Sequence, residues 1–403
     1  MMSKFLANLK VSSFLAYKSI RRGDIGAIIF TVLIITLAFI NITLVYSLLD
    51  GVIERAEMNV IDLQYGHVVI DPIEEELFID DADSLVKRVV ALPEVTGIAS
   101  HYIIGASIFH DDESVEYKIY SIDPVDEVTV TSLQDYIVEG NFLGKHDTDS
   151  ILLGNEISGG YDAKFELASL GGVRAGDTVT VRFNNGVIKD YRVKGIFNTM
   201  DVVTDMRAYI SEKEMEDVLG VSGKASEIVI RLDKIGKEKE FMESLLALGI
   251  KEKVIWWKDR AGIALSMTRS FVILKSMFGF ISLFVAAVTI FIVIYINTVN
   301  KRREIGVLKA IGVKENVIIK SFLFQAMFYT LAGCLLGYLA MMLFINPYFE
   351  IRPLKFPIGW VTLNIIPATT FKGLFILIVA AIFSGVVPSW NTTRKKIMKL
   401  IWG

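Results

Sequence analysis

Four apolar runs divide the chain. Gly26 to Leu49 (24 residues), Ser276 to Asn297 (22), Ser321 to Ile345 (25) and Gly373 to Trp390 (18) contain no Asp, Glu, Lys, Arg or His. About 20 apolar residues at 1.5 Å each cross a hydrocarbon core of about 30 Å. The pattern therefore predicts four transmembrane helices at 26–49, within 258–297, at 321–345 and at 373–390. The fourth is the shortest that qualifies. One span stands before a long polar-containing stretch and three after it, a one-plus-three arrangement.

The long stretch, 50–257, reads as an α+β domain. Asp83 to Leu92 predicts a short helix ended by Pro93, and Val95 to Ile108 is strand-rich. Ser211 to Leu219 and Lys237 to Leu248 predict two further helices, and Lys253 to Trp257 a strand. Within 117–210 the β signal dominates. Thr178 to Phe183 and Val187 to Val193 alternate around Asn184-Asn185-Gly186, the signature of a tight hairpin. An α+β body with an inserted β-rich subdomain over about 117–210 accounts for this order.

Two flanking segments are amphipathic. Residues 3–22 set Phe5, Leu6, Leu9, Phe14 and Leu15 among Lys4, Lys10, Lys18, Arg21 and Arg22. This predicts a basic helix lying on the inner leaflet, filling 1–25. From Trp257 to Asn297 no proline interrupts the pattern. Some 40 helical residues would span about 60 Å, so 258–297 should hold a stalk as well as a span. Ile263, Met267, Phe271 and Leu274 line one side of that stalk at near-heptad spacing, either for a partner copy or for the chain's own outer domain.

The net charge of −3 over 403 residues hides a strong segregation. Segments 1–25, 298–320 and 391–403 hold fifteen Lys and Arg against Asp24, Glu304 and Glu315, a net of +12. Cationic short segments stay cytoplasmic. Both termini and the 298–320 loop are therefore expected inside the cell membrane, with 50–257 and the 346–372 loop outside. The first run is long for a signal peptide and reads as an uncleaved anchor. Cys334 is the one cysteine, so no disulfide framework supports the outer domain.

The residue types that carry catalysis are not arranged for it. None of Gly144-Lys145, Gly223-Lys224 and Gly236-Lys237 has the glycine and hydroxyl spacing of a phosphate-binding loop. His67, His101, His110 and His146 are scattered without metal-ligand spacing. No nucleophile elbow appears. No catalytic residue, metal, bound cofactor or nucleic-acid partner is expected. The uncharged spans also disfavour an ion-coupled carrier, which needs intramembrane charge.

The loop 298–320 is too long for a turn between spans. Ile305, Leu308, Ile311, Val317 and Ile318 interleave with charges. Two short helices broken at Gly312 would present an apolar ridge for docking in another protein's groove. Binding of its Lys and Arg to anionic lipid is the other reading.

The stretch KRREIGVLKAIGVKENVIIKSFLFQAMFYTLAGCLLGYLAMML (301–343) resembles the signature region of the FtsX-like permease family of ABC transporters. That family includes the MacB-type pumps and the LolC/LolE lipoprotein-releasing subunits. Arg303-Glu304-Ile305-Gly306, Lys309-Ala310-Ile311-Gly312 and the Gly333/Gly337 span carry the match. FLAYKSIRRGDIGAIIFTVLIITLAF, GNEISGG with LGGVRAGDTVTV, and GVVPSWNTTRKK with Pro388 are similar to further parts of the family in the same order. The sequence after the first span looks more like the lipoprotein-releasing subunits, although Lys396-Ile397-Met398-Lys399 lacks a proline often found there.

The resemblance implies a non-enzymatic permease of the inner membrane, dimeric with a second copy or a paralogue. A separate cytoplasmic ATPase would bind ATP and Mg. Arg303, Glu304, Ile305, Gly306, Leu308, Lys309, Ala310, Ile311 and Gly312 would form the coupling helix seated on that ATPase. The stalk residues would transmit its motion to the outer domain, for lipoprotein release or export. Membrane lipids, and a lipoprotein or periplasmic adaptor, would complete the partners. A membrane-tethered extracytoplasmic sensor or binding protein explains the topology without the resemblance, but gives no reason for three closing spans.

Overall fold

The structure, a computed structural model, describes residues 2–74, 76–160 and 168–394; the side chains of 2–7, 263–269, 290, 293, 294 and 297 lie outside that description. Most of the 391–403 tail therefore falls outside it too. The described residues form two bodies, one within 1–53, 270–354 and 361–403, the other within 54–269 and 355–360.

In the membrane body, four helices are long and apolar enough to span: Ile25–Tyr65, Ser270–Thr289, Glu315–Ile351 and Pro367–Thr393. The first and third pack closely because glycine removes the obstacle between them. A Cβ on Gly333 would sit 2.7 Å from Ile35 Cγ2, and one on Gly337 2.7 Å from Phe39 Cδ1. Thr36 Oγ1 donates to the Gly333 carbonyl at 3.1 Å. The third and fourth helices meet where Ala381 and Gly385 face Ala326. The small residues spaced four apart are thus contact points, as expected where lipid supplies no hydrophobic drive and close packing must. Ile35, Phe39, Tyr329, Cys334 and Leu377 fill the space between.

The second spanning helix belongs to the continuous element Gly262–Asn300. It starts later than the pattern predicts, because a separate turn, Trp257–Arg260, precedes it and the chain breaks at Gly262 (φ 25°). Gly279 lets Tyr46 of the first helix lie against it. Lys275 pairs with Asp50, one residue outside each charge-free run.

The other body holds two sheets. Its strands are β1 (Val68–Asp71), β2 (Val95–His101), β3 (Ile103–His110), β4 (Glu113–Ile122), β5 (Ile137–Gly140), β6 (Ser150–Gly154), β7 (Thr178–Phe183), β8 (Ile188–Phe197), β9 (Ala208–Ser211), β10 (Glu227–Leu232) and β11 (Lys253–Trp256). The antiparallel order β11-β1-β10-β2 makes the first sheet. Leu85 and Val89 of helix Ala82–Val90, with Phe241 and Leu245 of helix Glu238–Ala247, cover Val68, Ile70, Ile228 and Ile230 on one face. Val130 of helix Pro124–Val130 covers Val69, Ala99 and Val229 on the other. The predicted helices and the 253–257 strand are all present within two residues of their expected ends.

The second sheet runs β5-β8-β6-β9-β4-β3-β7, and β7 also pairs with β8. That extra ladder closes six strands into a barrel and removes its open edges. Ile108, Ile119, Ile151, Val181, Tyr191 and Ile210 fill the interior, and Met215 of helix Glu212–Leu219 packs against them. The predicted hairpin forms at Asn184–Gly186, with the Gly186 amide donating to Phe183 at 2.9 Å.

Val95–Ile108 is strand-rich as expected, and its two strands belong to different sheets: the chain leaves the first sheet after His101 and enters the barrel at Ile103. Tyr102, buried between them, gives its amide to Ser121 Oγ at 2.8 Å, which satisfies the donor where neither ladder can.

Candidate functional site

The 298–320 segment folds as one short helix, Arg302–Ala310, followed by the start of the third spanning helix at Glu315. Gly312 (φ 88°) supplies the left-handed residue that stops the short helix. The Val313 amide donates to Leu308 O and the Gly312 amide to Lys309 O, both at 3.0 Å, and Val313 packs beside Leu308. This is a Schellman ending with its hydrophobic contact.

The apolar ridge is mostly turned inward, which corrects the expectation of a fully exposed one. Ile305 is 1% exposed and packs with Ile318, Leu308 and Phe322. Val317 and Gly306 are buried as well. The physical reason is proximity: the first turns of the third spanning helix cover the nearest apolar face before any partner can. What remains outside is a stripe at helical spacing, Arg303, Val307 (50% exposed), Ala310 and Ile311 (71%), flanked by Glu304 and Gly312. Val307 was absent from the predicted set; its place four after Arg303 and four before Ile311 is the signal that identifies it.

Lys309 is a staple rather than part of that face. Its ammonium pairs with Glu315 at 2.9 Å and donates to the carbonyl of Thr393, at the C-terminal end of the fourth spanning helix. A cation there complements the helix dipole. The N-terminal helix Met2–Arg22 is fastened to the same region. Ser12 Oγ donates to Val317 O at 3.0 Å, Ser19 Oγ to Gln325 Oε1 at 3.2 Å, and Lys301 Nζ to Ser19 Oγ at 2.6 Å.

Of the stalk residues, Phe271 is half-buried and Leu274 exposed, whereas the side chains of Ile263 and Met267 lie outside those described.

The outer body holds a cluster that sequence spacing did not reveal. His101, the last residue of β2, lies 2.7 Å from Glu127 and 3.3 Å from Glu227, its cross-strand partner in β10. Arg260 bridges Glu227 (2.9 Å) and Asp71 (2.7 Å). Arg207 lies over the rings of Tyr65 and Tyr120. Burial alone would pull the imidazole down, but the two carboxylates outweigh it and hold His101 up at about 10. Its cation in turn lowers both glutamates against the opposing effect of their own burial. The carboxylates are thus turned to internal cations, an arrangement that ties elements together. Residues 101 and 227 meet through strand pairing and 127 through the helix packed on that sheet, so no local motif announces them.

Residues 276–397 match the FtsX-like permease C-terminal family. The uncharacterized ABC transporter permease YvrN of Bacillus subtilis (strain 168) is 25% identical over 336 residues, 78% of this chain and 77% of that protein. Among solved structures, the extracellular domain of the noncanonic ABC-type transporter YknZ from Gram-positive bacteria aligns with TM-score 0.34 and 12% identity, over 47% of this chain and 97% of that one. The periplasmic region of MacB from Actinobacillus actinomycetemcomitans aligns with TM-score 0.35 and 14% identity, over 51% and 94%. The matched residues contain the short helix, its Schellman ending and the Gly333/Gly337 contact. Over 276–397 the chain is similar to the FtsX-like permease family, and over most of its length to an ABC transporter permease.

Proposed function

We propose that this chain is the mechanical subunit of its transporter, receiving ATP-driven motion from a separate cytoplasmic ATPase through the Arg302–Ala310 helix. The observation that carries this reading is the exposed stripe Arg303, Val307, Ala310 and Ile311, on a helix pinned by buried Ile305 and by Lys309. A helix in an ATPase groove presents such a stripe of apolar and charged anchors. Pinning lets a push on the stripe move the membrane helices rather than bend a loop.

The +12 charge of the three short segments supports placing this helix in the cytoplasm and the two-sheet body outside. The second spanning helix supports pairing with another permease chain. Only 11% of its apolar window is buried, against 28–33% for the other three. The work done outside, lipoprotein release or export of another envelope substrate, belongs to the same proposal.

The test is ATPase stimulation in the reconstituted complex. Val307→Glu and Ile311→Glu alter exposed side chains, so the chain should fold and reach the membrane unchanged. Stimulation should drop at least about tenfold, the loss of two desolvated apolar anchors. Glu304→Lys and Gly306→Trp should uncouple as well. Full stimulation with the Val307 and Ile311 variants would remove this helix from the coupling role.

A further inference from the structure

A cleft opens in the membrane body where the N-terminal helix and the Arg302–Ala310 helix meet the adjoining ends of the spanning helices. Its larger lobe encloses 740 Å³ and is walled by Leu15, Ile305, Leu308 and Phe322, with Lys18, Arg22, Lys301 and Arg303 along it. A second lobe of 260 Å³ shares Arg22, Lys301 and Phe322. It continues between Ala27 and Ile28 of the first spanning helix and Ala326 and Tyr329 of the third. The cleft therefore sets its cations beside an apolar wall in the larger lobe, whereas the smaller lobe mixes Ile28 and Tyr329 with Asp24, Thr298, Asn300 and Gln325.

Its charges are not balanced internally. Four cations face two carboxylates, Glu304 and Asp24, and Asp24 is engaged with the Gly26 amide at 2.9 Å. Among the described residues neither Arg22 nor Arg303 has a carboxylate within ion-pair distance. Lys301 donates only to neutral oxygens, Ser19 Oγ at 2.6 Å and Gln325 Oε1 at 3.3 Å. Burial draws its ammonium pKa down, with Glu304 opposing only in part. A half-buried ammonium beside two unpaired guanidiniums is a site for an anion of fixed geometry.

We propose that this cleft binds one anionic phospholipid, its phosphodiester among Arg22, Lys301 and Arg303 and one acyl chain against the wall of Leu15, Leu308, Ile318 and Phe322. A free phosphate ion satisfies only the cations and leaves the apolar wall unused, whereas an amphiphile matches both. Ile318 and Phe322 belong to the third spanning helix, so the apolar wall leads toward the depth where acyl chains are. Charged residues near headgroups attract anionic lipid, and the loss of two of them weakens binding at least about tenfold. The bound lipid would brace the N-terminal helix against the Arg302–Ala310 helix. This rests on reading the helices as spans, and not on the ATPase contact.

The test uses the full-length chain in neutral detergent, with thermal unfolding followed during titration by phosphatidylglycerol, by phosphatidylcholine of the same acyl chains, and by inorganic phosphate. Native mass spectrometry counts the bound lipids. Phosphatidylglycerol should raise the midpoint and saturate at one lipid per chain, and phosphatidylcholine should need at least about tenfold more. Phosphate should not reproduce the shift. Arg22→Gln, at an exposed position, and the Arg22→Gln/Lys301→Gln pair should lose the preference for the anionic lipid. Equal response to the two lipids, an unchanged preference in Arg22→Gln, or a full shift with phosphate alone would overturn the proposal. A failure of the span reading would show differently, as a monodisperse chain without detergent.

Discussion

His101→Gln tests whether the buried network joins the two sheets. His101 ends β2 and Glu227 begins β10, so the pair brackets both points where the chain passes between the first sheet and the barrel. The crossing is reinforced by the Ser226 amide on His101 O (2.7 Å) and the Ile103 amide on Ser226 Oγ (3.0 Å). Glutamine keeps a donor for Glu127 but removes the positive charge. Two buried carboxylates then share only the arginines, and breaking one partner out of a buried ionic set costs about 3–5 kcal/mol.

The pH dependence supplies a signature that simple loss of packing lacks. The folded-state pKa of His101, about 10, lies above its ordinary value of 6.5. Between those values the folded state holds a proton that the unfolded state has released. The stabilisation is therefore complete below pH 6.5 and is lost as pH rises through 10, to a limit of about 5 kcal/mol. The assay is amide exchange in β2 and β10 of the full-length chain in detergent, corrected for intrinsic rates, at pH 6 to 10. At pH 6 the wild-type opening free energy should exceed that of His101→Gln by about 3–5 kcal/mol, and the gap should close toward pH 10. A gap of constant size across this range would refute the charge assignment.

Other changes test other joints. Gly337→Leu should push the first and third spanning helices apart and lower detergent-state stability by about 1–3 kcal/mol, whereas Gly373→Ala, with 3.6 Å to Ile42, should be tolerated. Lys275→Met strands the buried Asp50 and should destabilise by about 3–5 kcal/mol; Asp50→Leu added to it should recover most of that loss in thermal unfolding. Burial raises Asp205 to about 7 against the opposing hydrogen bonds from Thr199, so stability should fall between pH 4 and 7 as the unfolded state alone gives up the proton. Asp205→Asn keeps an acceptor for both Thr199 donors and should stabilise the chain by roughly 1–3 kcal/mol at pH 8 and by less at pH 4, read from denaturant midpoints.

What could be read from the sequence divides along a physical line. The spans, the Asn184–Gly186 hairpin and the helix capped by Ser211, whose hydroxyl accepts from the Glu214 amide, are written in consecutive residues. Features made by distant partners were not. Nothing local tells that β7 pairs with both β3 and β8, or that Tyr102 separates two sheets. The same limit explains the site. Periodicity marked Ile305, Leu308 and Ile311 as one apolar face, but periodicity cannot say what covers a face. Ile318 and Phe322 lie close enough in space to take Ile305, and Ile311 is left outside.

Contacts between distant residues also bear on the mechanical role proposed for the Arg302–Ala310 helix. Three fastenings meet on this helix and its N-cap: Ile305 in the core with Ile318, Lys309 on the end of the fourth helix, and Lys301 on the N-terminal helix. A displacement of Ile311 cannot be absorbed by bending within so short an element, because the Schellman ending fixes its last turn and buried side chains fix its first. On the proposed function the motion would pass to the third and fourth helices together. Glycines at 333 and 337 would then hand it to Ile35 and Phe39 of the first helix, which pack directly on them. A loosening substitution such as Lys309→Met should therefore lower coupling more than it lowers ATPase binding. Equal losses in the two would mean that the helix is a docking surface without a lever.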